Sequence, residues 1–168
     1  MDNAIIVIII ITSLITVSAA SGFIWFLLRK AMESNFTIKN LMSSFELYQK
    51  SHNPSQAMES LKQIGTDHFI FSVNDGHEQF YSRGGKELTS QAKYPHLTVS
   101  NQVNLETLKQ IIASRNSKAI SFEQFCQAAA QAGVNYWKIN VGTLTCTYCD
   151  LSGKKIHTEQ FTDKNIMF

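Results

Sequence analysis

Runs of like charge are missing from this chain, in which 15 Lys and Arg residues stand against 13 Asp and Glu residues. No run is longer than the pairs Arg29-Lys30 and Lys154-Lys155. Nucleic-acid-binding proteins usually concentrate basic charge on one face or along one helix. The sequence therefore predicts no nucleic-acid partner.

Catalytic and cofactor fingerprints are also missing. The chain contains no phosphate-binding loop, no nucleophile elbow of the G-x-S-x-G type and no Rossmann glycine pattern. Its five histidines form neither an i, i+4 pair nor an H-E-x-x-H motif, which are spacings typical of zinc ligands. We predict no cofactor and no metal. A metal site built from residues distant in sequence is the less favoured alternative.

Large apolar residues are abundant and spread along the chain. The sequence is 44% hydrophobic and 17% charged, with 11 Phe, 5 Tyr and 2 Trp residues. Disordered chains combine low hydrophobicity with high net charge, so this composition predicts a folded domain. Its length is sufficient to bury a core without disulfides or metal.

Residues 4–28 contain no charged side chain. As an α-helix this stretch would be about 38 Å long, against a hydrocarbon thickness of about 30 Å. The apolar run continues past a small-residue cleavage pattern at residues 17–19, and no positive residue precedes it. These features predict a retained transmembrane helix in contact with membrane lipid. A cleaved signal peptide on an exported protein is the alternative.

Positive residues flank only the far end of this stretch. Arg29, Lys30 and Lys39 follow it, whereas Asp2 is the one charged side chain before it. The positive-inside rule then predicts a single-pass protein of the cytoplasmic membrane with its domain on the cytoplasmic side. We divide the chain into an anchor (1–28), a linker (29–36), an α+β domain (37–162) and a tail (163–168).

Four helices are predicted after the linker. Apolar residues recur at helical spacing from residue 37 onward. The second helix begins at Asn53-Pro54 and ends at Gly65. The third and fourth begin at the caps Asn104 and Ser121, the latter within a capping-box pattern.

Strands are predicted in neighbouring hairpins. Residues 68–73 alternate, and a two-residue turn at Asp75-Gly76 would place Phe71 opposite Phe80. A short third strand is predicted at residues 97–99. Three more strands form a C-terminal meander, at residues 135–141, 144–150 and 155–161. Because strands do not alternate with helices, the order predicts an α+β fold with a mainly antiparallel sheet packed against about four helices.

Cys146 and Cys149 form a C-x-x-C motif in the middle of a predicted strand. Three residues along a strand span about 10 Å, and the two side chains point to opposite faces. A disulfide needs Cα atoms closer than about 7 Å. We therefore predict structural cysteines, with Cys146 facing Ile139 and Cys149 beside Tyr136, rather than a redox pair.

Five residues near the first hairpin are the candidates for a site. Asp75 and Gly76 have a sufficient explanation as turn residues, and an acid or base role for Asp75 or His77 requires a surrounding pocket. The candidate catalytic residues are Asp75, His77, Tyr81, Tyr94 and His96.

A series of residues resembles a known family. It includes Asp75-Gly76, Ala132-Gly133-Val134 and Trp137, and its most specific part is the final strand pattern of Cys146-Thr147-Tyr148, Asp150, Gly153 and Glu159. Over about residues 36–161 the chain is similar to the YbcV-like "phage envelope protein" family, a small bacterial and phage domain of unknown function. The resemblance implies a compact α+β fold and no established activity. Cys149 stands where the family pattern has an aromatic residue, and the N-terminal stretch is an addition.

Three functions are compatible with these observations. The lack of a catalytic constellation favours a membrane-anchored, non-catalytic binding or interaction module for an unknown protein or small molecule. A small-molecule enzyme with its site on the sheet or hairpin rim is the first alternative. A phage-derived, envelope-associated structural protein is the second.

Overall fold

A computed structural model describes residues 21–28, 30–31, 33–51 and 54–161. Its helices beyond residue 36 are α1 (Ile38–Ser51), α2 (Pro54–Ile64), α3 (Leu105–Asn116) and α4 (Phe122–Gln131). Its strands are β1 (Thr66–Ser72), β2 (Glu78–Ser82), β3 (Glu87–Thr89), β4 (Tyr136–Asn140), β5 (Thr145–Cys149) and β6 (Lys155–Gln160).

The predicted transmembrane helix requires a correction. In the described part of the chain, no helix is both long and apolar enough to cross a membrane. The described part of the apolar stretch is helical over residues 21–28, and the described residues 30–31 and 33–35 are also helical. Residues 1–20 of the predicted span lie outside the described residues.

The predictions that depended on this helix are corrected with it. They are the single-pass placement in the cytoplasmic membrane and the membrane anchor of the α+β fold. The cleavage pattern at residues 17–19, on which the exported alternative rested, also lies outside the described residues.

The sheet is antiparallel throughout, with the strand order β3-β2-β1-β4-β5-β6. The chain leaves β3, passes through α3 and α4, and returns as β4 beside β1. Within the meander, Cys146 lies opposite Ile139 and Cys149 opposite Tyr136, which confirms the predicted register of this hairpin.

The register predicted for the β1–β2 hairpin is wrong. Phe71 pairs with Glu78, and Phe80 pairs with Phe69. The difference arises because the turn is longer than two residues: the Ser72 N–H donates to His77 O, at 3.0 Å, across an intervening loop of residues 73–76. The side chains keep the predicted faces, since a shift of two residues preserves the alternation.

The strand predicted at residues 97–99 is also wrong. The third strand in sequence is β3, which lies before residues 97–99 and pairs with β2. Leu97 and Val99 instead pack against the core from an irregular segment, whose Ser100 N–H donates to Ala130 O at 2.9 Å.

The helix caps agree with the sequence. Asn104 Oδ1 accepts the Thr107 N–H at 3.0 Å, and Ser121 forms a reciprocal capping box with Gln124. Both caps satisfy backbone donors that the first helical turn leaves free.

One face of the sheet carries the core, and all four helices contribute to it. Core residues include Leu41 of α1, Leu61 of α2, Leu108 of α3 and Phe125 of α4, packed around inward-facing strand residues. Those strand residues are Phe69, Phe71, Phe80, Trp137, Ile139, Cys146 and Tyr148. The opposite face bears polar and partly exposed side chains, an arrangement common in antiparallel sheets.

Candidate functional site

A surface recess of about 240 Å³ lies between the irregular segment after β3 and the beginning of α4. The segment contributes one wall, and α4 contributes the other. The lining residues are Tyr94, Pro95, His96, Leu97, Glu123, Cys126 and Gln127.

The β1–β2 turn holds the segment wall in place. The backbone N–H groups of Lys93 and Tyr94 both donate to Asp75 O, at 2.8 and 3.2 Å, and the Leu97 N–H donates to Asn74 O. Backbone hydrogen bonds of this kind hold in place a loop that is not paired with any strand. The turn therefore positions Tyr94 and its neighbours at the recess.

Gly76 is required for the close packing of this turn against Tyr94. Its φ is +77°, and a Cβ added there would lie 2.6 Å from Tyr94 Cε1. Both the left-handed backbone and the missing side chain are properties of glycine. The Asp75-Gly76 pair thus shapes one side of the recess as well as the turn.

The floor of the recess is formed by two protonated groups, the buried Cys126 and the partly buried Tyr94. Cys126 is 1% exposed, and burial raises the pKa of its thiol to about 11, against smaller opposing effects of the Tyr94 hydroxyl and the Lys93 ammonium. Burial also raises the pKa of Tyr94 above its ordinary value. The Tyr94 hydroxyl donates to Val73 O at 2.9 Å. At neutral pH both groups are uncharged.

Asp75 and His77 form a pair at the β1–β2 turn, next to the segment wall of the recess. Asp75 Oδ1 lies 2.6 Å from His77 Nδ1 and accepts the His77 backbone N–H at 3.2 Å. Burial acts to raise the pKa of Asp75, but the hydrogen bonds from His77 outweigh it and hold the pKa below the ordinary value. His96 lies close enough to lower the pKa of Asp75 further.

An ion pair between the buried Glu78 and the partly exposed Lys93 anchors the start of the segment. The Glu78 side chain is 3% exposed; one carboxylate oxygen contacts Lys93 Nζ, and the other accepts from Ser90 Oγ at 2.7 Å. Lys93 Nζ also lies 5.5 Å from the centroid of Phe71. Satisfying both oxygens offsets much of the desolvation penalty of a buried carboxylate.

A family model described as "Protein of unknown function (DUF1398)" matches residues 43–160. The chain belongs to this family. No curated protein matches the chain. The DUF1398 match includes every residue of the recess and of the clusters around it, while the family description supplies no activity.

Four of the five predicted site residues come together. Tyr94 and His96 line the recess, and Asp75 and His77 lie at the adjoining β1–β2 turn, where Asp75 O accepts the Tyr94 N–H. Tyr81 lies elsewhere: it is on the polar face of the sheet, where its ring stacks on His68 at 4.5 Å between centroids. Side chains alternate between the two faces of a strand, so Phe80 points into the core and Tyr81 points to the opposite face.

Sequence reasoning missed Glu78, Lys93, Glu123 and Cys126. Glu78 offered a signal, since it stands two residues before Phe80 and therefore on the core-facing side of β2. A charged residue on that side requires a buried partner. Cys126 and Glu123 offered none, because only the packing of α4 brings them to the segment.

The C-x-x-C motif takes no part in the recess. Cys146 and Cys149 stand on β5 opposite different partners, and all three cysteines of the chain are free. Among the described residues, no group of three His, Cys, Asp or Glu side chains could hold a metal ion.

Proposed function

We propose that the chain is a small-molecule binding module, and that its site is the recess between the segment of residues 94–97 and α4. The proposal rests on the recess itself. The β1–β2 turn fixes the segment that forms one of its walls, and Tyr94 and Cys126 form its floor. Binding in this proposal leaves the ligand chemically unchanged.

The lining has the composition of a ligand site. Tyr94, Pro95 and Leu97 provide apolar surface, and a few polar groups such as His96 and Gln127 stand around it. Pockets for small molecules are mostly apolar with a small number of placed polar groups, and they measure about 300–1,000 Å³. At about 240 Å³, this recess suits a ligand smaller than most cofactors.

The protonation states of Cys126 and Tyr94 favour ligand binding over covalent catalysis. A cysteine nucleophile needs a lowered pKa so that the thiolate is present, whereas burial raises the pKa of Cys126 to about 11. The Tyr94 hydroxyl is engaged by Val73 O. Neutral, hydrogen-bonded groups of this kind shape a pocket without supplying a nucleophile or base.

The test is a screen of small fragments by ligand-observed NMR on wild type and two variants. Gln127→Trp fills the recess, and Gln110→Trp places the same side chain on the exposed surface of α3. We expect some fragments to bind wild type and the Gln110→Trp variant but not the Gln127→Trp variant. Bound fragments should be recovered unchanged by mass spectrometry. A set of hits unaffected by Gln127→Trp would contradict the proposal.

A small-molecule enzyme is the second candidate, and the Asp75–His77 contact favours it. A carboxylate that holds Nδ1 of an imidazole orients the ring for general base catalysis. Under this reading, fragments would be altered on incubation, and His77→Ala would abolish the change while leaving binding intact.

The resemblance to YbcV-like proteins is a more specific assignment than membership of the DUF1398 family, and it supports neither of the two candidate functions. An envelope-associated role rests on that label alone.

A further inference from the structure

We propose that the ligand of the recess is a small organic cation, such as a molecule bearing a primary amine beside an apolar group. This inference rests on the proposed function and specifies the chemical class of its ligand. It is carried by the placement of Glu123 and the Tyr94 ring in the same recess.

The charges around the recess are mainly negative. Glu123 lines it directly, and the carboxylates of Asp75 and Glu78 interact with Tyr94 at its floor. Lys93 is the cation that acts on Cys126, and it is paired with Glu78. Apart from the imidazoles of His77 and His96, these three carboxylates and one ammonium sum to −2. A negative potential of this kind attracts cations and disfavours anions.

The carboxylate of Glu123 is accessible to a ligand. Glu123 is exposed on the first turn of α4, and its hydrogen bond to Gln127 Nε2 is long, at 3.4 Å. An ammonium group entering the recess would replace this weak contact with a charge-assisted one.

Tyr94 supplies the second element of cation recognition. Its hydroxyl is engaged by Val73 O, and Gly76 packs against the Cδ1–Cε1 edge of its ring. The partly buried ring also lines the recess. Aromatic faces attract ammonium groups that approach within about 6 Å. Pro95 and Leu97 beside it give the apolar part of the ligand a surface to cover.

The test compares three probes of similar shape and different charge: 2-phenylethylamine, 2-phenylethanol and 3-phenylpropanoate. Dissociation constants are measured at low salt by following the backbone amide signals of Tyr94, His96, Leu97 and residues 123–127. We expect millimolar affinities, with the amine binding about fivefold to tenfold more tightly than the alcohol and the propanoate weakest.

A matched pair of variants isolates the carboxylate. Glu123 and Glu106 occupy the same position in the first turns of α4 and α3, so neutralising either one changes its helix terminus alike. Glu123→Gln should weaken amine binding about threefold to fivefold and leave alcohol binding unchanged. Glu106→Gln should change neither.

The outcomes separate the two proposals. If the alcohol or the propanoate binds at these signals as tightly as the amine, the cation inference is overturned while the binding function stands. An amine affinity that Glu123→Gln leaves unchanged also overturns the inference. If none of the three probes shifts these signals in the millimolar range, both the inference and the proposed function fail.

Discussion

Arg115 holds a charge that is almost entirely removed from water, with its side chain 4% exposed. Its Nη1 donates to the Tyr148 hydroxyl and its Nη2 to Glu159 Oε1, each at 2.8 Å. Tyr148 also donates to Glu159. Burial acts to lower the pKa of Arg115, but Tyr148 and Glu159 hold it above its ordinary value. The cluster joins α3 to β5 and β6.

Replacing Arg115 by Met should strongly destabilise the fold. The variant leaves the largely buried Glu159, whose side chain is 11% exposed, without its cation, and breaking a buried pair typically lowers the free energy of unfolding by about 3–5 kcal/mol. Lys109→Met is the control, because Lys109 and Glu106 form an exposed pair that contributes less than about 1 kcal/mol. Urea denaturation measures both. Equal losses in the two variants would show that the Arg115 cluster is not a buried ion pair.

Gly76 gives a residue-scale test of the recess wall. Gly76→Ala should lower the free energy of unfolding by about 1–3 kcal/mol and weaken binding of 2-phenylethylamine, because a Cβ would displace Tyr94. Gly85 has a similar φ of +86° with open space around its missing Cβ. Gly85→Ala should therefore introduce backbone strain alone and leave binding unchanged. Equal effects of the two variants on binding would argue against the Tyr94 contact.

The lowered pKa of Asp75 should contribute to the loss of unfolding free energy at acid pH. Its folded-state pKa lies below the ordinary value of 3.8 because hydrogen bonds from His77 outweigh burial. The stability from this shift is present above about pH 4 and is lost as pH falls through the folded pKa. Asp75→Asn should make the fall in unfolding free energy below pH 4 shallower, by less than about 1 kcal/mol since the group is partly exposed. An unchanged slope in pH-dependent urea denaturation would contradict this.

At the scale of elements, the end of α3 contains an unusual residue. The Ala119 N–H donates to Ser114 O and the Lys118 N–H to Arg115 O, each at 2.9 Å, which is the Schellman pattern. The residue in the left-handed position is Lys118, with φ +58°, whereas glycine is the usual choice there.

Lys118→Gly should stabilise the protein by up to about 1 kcal/mol, because the strain of a left-handed Lys exceeds the added entropy of glycine in the unfolded chain. Lys118→Ala removes the same charge and keeps the strain, so it should give no gain. Thermal unfolding of both variants measures the difference. A gain in the alanine variant as large as in the glycine variant would assign the effect to charge.

Elements with a local chemical signal were predictable from the sequence. Ser121 and Gln124 define the start of α4, and the turn after β4 sets the register of Cys146 against Ile139. The β1–β2 register was not predictable, because Asp75-Gly76 favours a two-residue turn locally while the chain forms a longer one. Leu97 alternates like a strand residue, yet its backbone bonds to the β1–β2 turn rather than to a strand.

At the scale of the whole molecule, the three cysteines report on the integrity of the fold. Cys126, Cys146 and Cys149 are all buried and free, and burial raises the pKa values of Cys126 and Cys146. We expect iodoacetamide to react slowly with the native protein at pH 8 and with all three thiols in urea. Fast labelling of Cys126 in the native state, located by mass spectrometry, would show that the floor of the recess is open.

The sequence predicted only part of the candidate site, because some of its residues come together only through tertiary packing. Asp75 and Tyr94 belong to segments close in sequence, and a hairpin rim brings such segments together. Cys126 and Glu123 approach them only because α4 packs on the sheet after a long crossover. The recess is therefore a product of tertiary packing, and no local pattern in the sequence marks it.

The most direct test of the proposed site is a map of backbone amide shifts on addition of 2-phenylethylamine to isotope-labelled protein. We expect saturable shifts concentrated at Tyr94, His96, Leu97 and residues 123–127, with smaller changes at the β1–β2 turn. Saturable shifts on the polar face of the sheet, around His68, Tyr81 and Lys138, would contradict this expectation and move the site to the other side of the molecule.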